Sequence, residues 1–257
     1  MSYPDIFDKE QYISWHKEHL ESDIDVINNI ETTQNKITNF FFDNDKKILS
    51  DLFQVINEVI RISKIRRKNI SFEIVPEYPK NINEFKRKYL KTIDSIVNKL
   101  WRKNQLEPKI KIADIKENIK DLVRFSIKVD SLKSAETIAN ILSDQSILIE
   151  NSTDCQNLFE NNLEKIVVDN EMKMSSGYFA YHCYFYFKDS YIVEIQLFSE
   201  LSNYWRKMSH NIYDQVRINN SKNMKFNDIN SRVISIGHML YLAECELYNI
   251  EKELEQD

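Results

Sequence analysis

Two glycines and four prolines in 257 residues leave this chain almost without the residues that break helices and tighten turns. Helices are therefore the default wherever apolar residues recur at three- and four-residue intervals, and three such series occupy the first 60 positions. Tyr12, Trp15 and His19 begin them. Val26, Ile27, Ile30, Ile37 and Phe41 follow, then Leu49, Leu52, Phe53, Ile56, Val59 and Ile60. The polar run 43–46 separates the last two as a loop or helix start. After Asn227, Val233, Ile236, Leu240, Ala243, Leu247 and Ile250 form one stripe of a long closing helix with a polar end. Such flanks would cap a central domain or join copies of the chain into a homo-oligomer.

A content of 42% apolar residues is enough to bury a substantial core. No run spans a bilayer and no charged-then-apolar leader precedes residue 30, which predicts a soluble, cytoplasmic protein with no membrane partner. Cys155, Cys183 and Cys245 have neither a paired framework nor metal-ligand spacing, in keeping with a reducing compartment. The net charge of −5 argues against indiscriminate nucleic-acid binding. Between Glu84 and Lys111, however, nine basic residues face three acidic ones. This run reads either as a solvated helix face or as an anion site able to hold a triphosphate or a tRNA end.

Chemistry-bearing residues concentrate between Ser176 and Tyr213. Side chains alternate across a strand. Phe179, Tyr181, Cys183, Phe185 and Phe187 therefore form an apolar face, against Tyr178, Ala180, His182, Tyr184 and Tyr186. Lys188, Asp189 and Ser190 supply a polar turn. Beyond it Val193, Ile195 and Leu197 oppose Ile192, Glu194, Gln196 and Phe198. The pair predicts an antiparallel hairpin that carries Tyr178, His182, Glu194 and Gln196 into one cleft. In the next helix Leu201, Trp205, Met208 and Ile212 predict an apolar stripe, and Asn203, Arg206, His210 and Tyr213 a polar one. The stretch 143–176 is polar and reads as a substrate loop with one short strand at 166–168. Each residue also has a plain structural reading: Tyr178 as a cross-strand aromatic, His182 and His210 as buried, hydrogen-bonded histidines, Trp205 as core.

The order Gly-Tyr-x-x-x-His, Glu-Ile-Gln, then Trp followed five residues later by His resembles the synthetase domain of the RelA/SpoT family. Residues 91–103 resemble that family's basic motif, and 120–127 its metal-binding strand. The resemblance covers roughly 85–215 and implies an α+β fold: a mixed β-sheet flanked by helices, nucleotidyltransferase-like. Residues 76–218 would be the synthetase domain, 1–75 a helical N-terminal extension and 219–257 a C-terminal helix. It also implies an ATP-dependent pyrophosphokinase that transfers pyrophosphate to the 3′-hydroxyl of GDP or GTP. Asp121 and Glu194 would hold Mg²⁺ and act as the catalytic pair. Lys91, Lys99 and Arg124 would hold donor phosphates; Tyr178 would stack on the acceptor base; His182, Gln196 and His210 would position phosphate or ribose. Such transfer depends on carboxylates for a hard cation and on Lys or Arg for oxygen charge.

The sequence departs from the family pattern at defined places. Arg124 comes three residues after Asp121 with no glycine between, Tyr89 replaces an arginine, and Ala180 replaces a serine. Ser209 replaces an acid, and Leu197, Phe198 and Ser199 stand where Arg-Thr is usual. Changed phosphate contacts would suit a changed acceptor, so a toxin-like relative that modifies the 3′ end of tRNA or adenosine nucleotides is the alternative. A catalytically inactive nucleotide- or partner-binding module is the third reading. One geometric requirement follows. Asp121 and Arg124 point to opposite faces of a continuous strand, so Asp121 must lie at the strand's entrance. Lys80 competes with Lys91 as the start of the basic motif.

Overall fold

The computed structural model describes residues 2–43, 45–169, 179–218 and 229–254, with side chains except at 210–218 and 230. Helices α1 (Lys9–His19), α2 (Val26–Phe41) and α3 (Ile48–Arg66) lead into strand β1 (Phe72–Ile74). Helices α4 (Ile82–Tyr89), α5 (Ile93–Lys103) and the single turn α6 (Ile115–Asn118) precede β2 (Val123–Val129). Then come α7 (Leu132–Ser143), α8 (Gln145–Asn151), α9 (Thr153–Asn161), β3 (Leu163–Asp169), β4 (Tyr181–Phe187) and β5 (Ile192–Ser199). Helices α10 (Glu200–Ile218) and α11 (Ile229–Leu254) complete the order.

Six helices start on side-chain caps. Asp8, Asp25, Asn81, Thr92, Ser131 and Ser152 each accept a hydrogen bond from the backbone N–H three residues on. The β4–β5 turn shows the shortage of glycine, since Ser190 takes the left-handed conformation at φ 62° that glycine adopts at least cost.

The expected mixed sheet is present, in the order β1-β2-β5-β4-β3. Strands β2 and β5 run parallel; the other pairs are antiparallel, including the β4–β5 hairpin. Phe125 and Phe187 on the apolar face meet Phe53 and Tyr89, and Phe40 and Phe41, respectively. Helix α7 packs across β2, β3, β4 and β5. One buried cluster runs from Tyr12 to Leu197, so the N-terminal helices share the core of the sheet.

Three local expectations change. The stretch 145–169 is not a loop: it forms α8, α9 and the full strand β3. A register shift between Leu163 and Lys165 leaves Glu164 and Lys165 both exposed, which breaks the alternation that would reveal the strand. Residues 170–176 of that stretch lie outside the described residues. In α10 the faces are rotated from those expected, with Asn203 buried and Met208 46% exposed. The basic run 84–111 also divides. Lys86 bonds Asn35, Lys88 pairs with Glu77 and Glu84, and Lys109 bonds the Asn104 carbonyl, while Lys91 and Lys99 turn to the sheet. Among the described residues no helix is long and apolar enough to cross a membrane.

Candidate active site

The polar face of the sheet is organised in rows across the strands. Arg124, Glu194, Tyr184 and Val167 stand in one register row; Ser126, Gln196, His182 and Asp169 stand in the next. Alternation alone places Glu194, Gln196 and His182 on this face, and pairing makes them neighbours. His182 Nδ1 lies 2.7 Å from Glu194 Oε1, and Gln196 Nε2 donates to Glu194 Oε2 at 3.0 Å. A carboxylate only accepts, so Nδ1 carries the proton and donates it. All three side chains are buried, and Glu194 is 3% exposed. Paired donors make burial of the acid tolerable.

Asp121 lies in the turn before Val123, at the strand entrance the sequence requires. Two lysines meet it: Lys91 Nζ at 2.9 Å from Oδ2, and Lys99 Nζ on Oδ1. Their arrival has a local cause. Leu90 bridges to Val123 and the Lys91 N–H donates to the Leu122 carbonyl, fixing the α4–α5 junction beside the turn. Thr92 then caps α5, whose second turn presents Lys99. Lys80 remains exposed, its N–H bonded to Glu84, so Lys91 is the lysine beside Asp121.

The electrostatics follow from this packing. Burial alone would raise the Asp121 carboxyl, but Lys99 and Lys91 outweigh it and hold the group far below the usual carboxylate range. Burial, reinforced by Lys91, lowers the Lys99 ammonium despite the opposing pull of Asp121 and Glu194. Lys99 thus senses both acids, one from the turn and one from β5. The Tyr184 hydroxyl is raised by burial first and then by Glu194, Asp169 and Asp121, which keeps it protonated.

Arg124 is exposed, in register with Glu194. Tyr178 lies outside the described residues, as does the side chain of His210, whose backbone belongs to α10. The structure therefore assembles Lys91, Lys99 and Asp121 in one cluster and His182, Glu194 and Gln196 in a second. Among the described residues no group of three or more His, Cys, Asp or Glu side chains is arranged to bind a metal. Two carboxylates suffice for Mg²⁺ when a substrate supplies phosphate oxygens, and Asp121 and Glu194 have that donor chemistry.

Three further residues belong to this surface. Tyr184 stands opposite Glu194 across the β4–β5 pair, its ring stacked alongside that of His182 with centroids 6.4 Å apart. Lys120 lies over the Tyr184 ring at 5.1 Å and the Tyr186 ring at 5.9 Å. Arg206 reaches from α10 to lie 4.6 Å over the Phe198 ring, on the face of β5 that carries Glu194 and Gln196. The alternation of β4 pointed to Tyr184; Arg206 lay on the expected polar stripe of α10 and Lys120 at the head of the 120–127 motif, but no local pattern assigned either a place in the site. A separate cleft of about 380 Å³ opens at the far ends of β2 and β5, lined by residues including Asp130, Glu200, Glu244 and Tyr248, and by none of the residues above.

A mixed sheet with helical flanks brings acid and base together at one strand entrance, and the family whose sequence pattern the chain matches makes it an enzyme of the pyrophosphokinase class. The region found in RelA/SpoT proteins matches residues 88–223, more than half of the chain, and the chain belongs to that family. Among solved structures, small alarmone synthetase 1 from Bacillus subtilis bound to its product pppGpp is similar, at 15% identity and a TM-score of 0.51. That match covers 86% of this chain and 99% of the other. The same synthetase in a second crystal structure gives 16% identity and a TM-score of 0.47, covering 84% of this chain and 100% of that one. A GTP pyrophosphokinase family protein from Streptococcus pneumoniae gives 13% and 0.45, over 84% of this chain and 96% of that one. A search of curated proteins returns no significant match.

Proposed function

We propose that this chain transfers pyrophosphate from ATP to the 3′-hydroxyl of a guanine nucleotide, GDP or GTP. The observation that carries this reading is Asp121 held by Lys91 and Lys99 at the entrance of β2, the strand that pairs with β5 and sets Arg124 opposite Glu194. In the reaction the acceptor 3′-oxygen bonds to the β-phosphorus, the bond between that phosphorus and the α–β bridging oxygen breaks, and AMP leaves. The hydroxyl proton must go to a base.

Glu194 is suited to take it, because His182 and Gln196 hold its two oxygens in fixed directions. Lys91, Lys99, Arg124 and Arg206 would bind the donor's phosphate oxygens, and Tyr178 and His210 remain assigned to the acceptor by the family pattern. Mg²⁺ would be held by Asp121 and Glu194, where it supplies charge neutralisation for the transferred group. Arg206 beside Phe198 supports a guanidinium delivered from α10 in place of the arginine missing after Gln196.

One observation favours a polynucleotide acceptor as the second reading. Lys120 over Tyr184 and Tyr186, and Lys165 over Tyr186 at 5.3 Å, make a basic and aromatic strip next to Glu194. Such a strip suits stacked bases and a phosphate backbone, as at a tRNA 3′ end. Both readings are tested by incubating the purified protein with β-labelled ATP, Mg²⁺ and separate acceptors: GDP, GTP, adenosine nucleotides and tRNA. Label is expected on GDP or GTP, with AMP released in equal amount. Label on tRNA or adenosine nucleotides instead would replace the acceptor. Label on none would leave a nucleotide- or partner-binding module.

A further inference from the structure

Helix α11 docks on the body by one face and leaves an apolar seam bare on another. On the inner face Gly237 and Glu244 are buried, Tyr241 packs on Phe179 with ring centroids 4.7 Å apart, and Glu251 pairs with Arg67 at 2.9 Å. From Ile229 to Leu254 a second row of apolar residues advances by alternating steps of four and three, unbroken for 26 residues. That mean period of 3.5 marks a helix packed along another helix; a helix lying on a globular core follows 3.6. Five large members of the row, Ile229, Ile236, Leu247, Ile250 and Leu254, are 43–71% exposed. A strip of roughly 39 Å of apolar surface in water is costly unless something covers it.

We propose that α11 pairs antiparallel with the α11 of a second copy of this chain. About a two-fold axis between Tyr241 and Leu242, every layer of the seam finds a partner. Ile229 meets Leu254 of the second copy, Val233 meets Ile250, Ile236 meets Leu247, and Leu240 meets the small Ala243. Charge selects the direction. Residues 229–243 contain Arg232 and no acid, whereas 244–254 contain Glu244, Glu246, Glu251 and Glu253 against Lys252. Antiparallel pairing sets Arg232 beside Glu253 of the second copy, twice, and opposes the helix dipoles. A parallel pair would set Glu246 beside Glu251 and leave Arg232 facing Gly237. The occupant is thus the one helix certain to be present and complementary to the seam.

The test is the mass of the full-length protein in solution, by sedimentation equilibrium over a concentration series. A dimer is expected, and Leu247→Glu, exposed in the single chain, should weaken it by about a hundredfold or more while the circular dichroism stays that of a folded protein. Arg232→Glu should weaken the dimer more at low salt than at high salt, and adding Glu253→Arg should restore it. Direction is read by oxidation: Ile229→Cys mixed with Leu254→Cys should cross-link, and neither should cross-link with itself. A monomer at the highest soluble concentration, a dimer indifferent to Leu247→Glu, or self-cross-linking of Ile229→Cys would each overturn the proposal.

Discussion

Asp121 and Glu194 are acidic side chains at one end of a sheet, the first half-buried and the second buried, and their surroundings are built differently. Asp121 stands in a turn and is neutralised by two ammonium groups carried in from the α4–α5 junction and from α5. Glu194 stands inside β5 and is held by a histidine and an amide from strand positions beside it. The first arrangement is one of charge, the second of oriented hydrogen bonds. A group held by opposite charge keeps that charge into acid and strands its partners when removed. One held by in-sheet donors can be replaced by an amide of the same shape at small structural cost, because the facing Gln196 amide can turn over and accept from the new NH₂. The cationic half thus suits binding of phosphate, and the hydrogen-bonded half suits aiming a base.

The sharpest way to break this contrast is to neutralise each acid in turn. Asp121→Asn and Glu194→Gln should each lower kcat on the order of 10³-fold. Only Asp121→Asn should also lower unfolding free energy by about 3 kcal/mol, since it leaves Lys91 and Lys99 facing each other without a counter-charge. Urea denaturation beside single-turnover rates separates the two outcomes. Equal destabilisation by both substitutions would erase the distinction.

Lys99 tests the cationic half alone. Lys99→Met should reduce kcat/KM by about a hundredfold, chiefly through weaker ATP binding. Because burial lowers its ammonium, the wild-type rate should fall on the alkaline side at a lower pH than an ordinary lysine would give. Lys99→Arg should move that limb upward, as read from a pH–rate profile.

Acid stability sharpens the comparison further. The folded-state pKa of Asp121 lies below its unfolded value, so its contribution is complete above about pH 5 and is lost as pH falls through the unfolded value toward the depressed one. The stability lost between pH 4 and pH 2 should therefore be smaller by about 2 kcal/mol in Asp121→Asn than in the wild type. The smallest effect is expected from Tyr184→Phe. It removes a hydroxyl beside Glu194 but no charge, and should lower kcat about three- to tenfold without altering the pH profile.

The same contrast governs how much could be read in advance. Everything on β4 and β5 follows from a period of two: once His182 and Glu194 lie on one face, pairing makes them neighbours. The strand entrance at Asp121 was also legible, as a requirement imposed by Arg124. The partners of Lys120 and Arg206 were not: one stood in the 120–127 motif and the other on the polar stripe of α10, but no local pattern says which ring of the sheet each meets. Met208 and Asn203 exchanged their expected roles in α10 because an i, i+4 stripe gives an angle around a helix, and the faces it packs against fix where that angle begins.

By itself, then, the sequence determined the mixed sheet's hairpin, the amphipathic helices and the identity of the residues on the polar face, since these depend on neighbours two to four positions apart. Tertiary structure alone decided that Lys91 rather than Lys80 meets Asp121, that Arg206 stands over Phe198, and that the stripe on α11 stays uncovered while those on α2 and α3 are buried. Those outcomes rest on distances between segments far apart in the chain. No local periodicity contains them, because burial and charge pairing are settled only when the whole core closes.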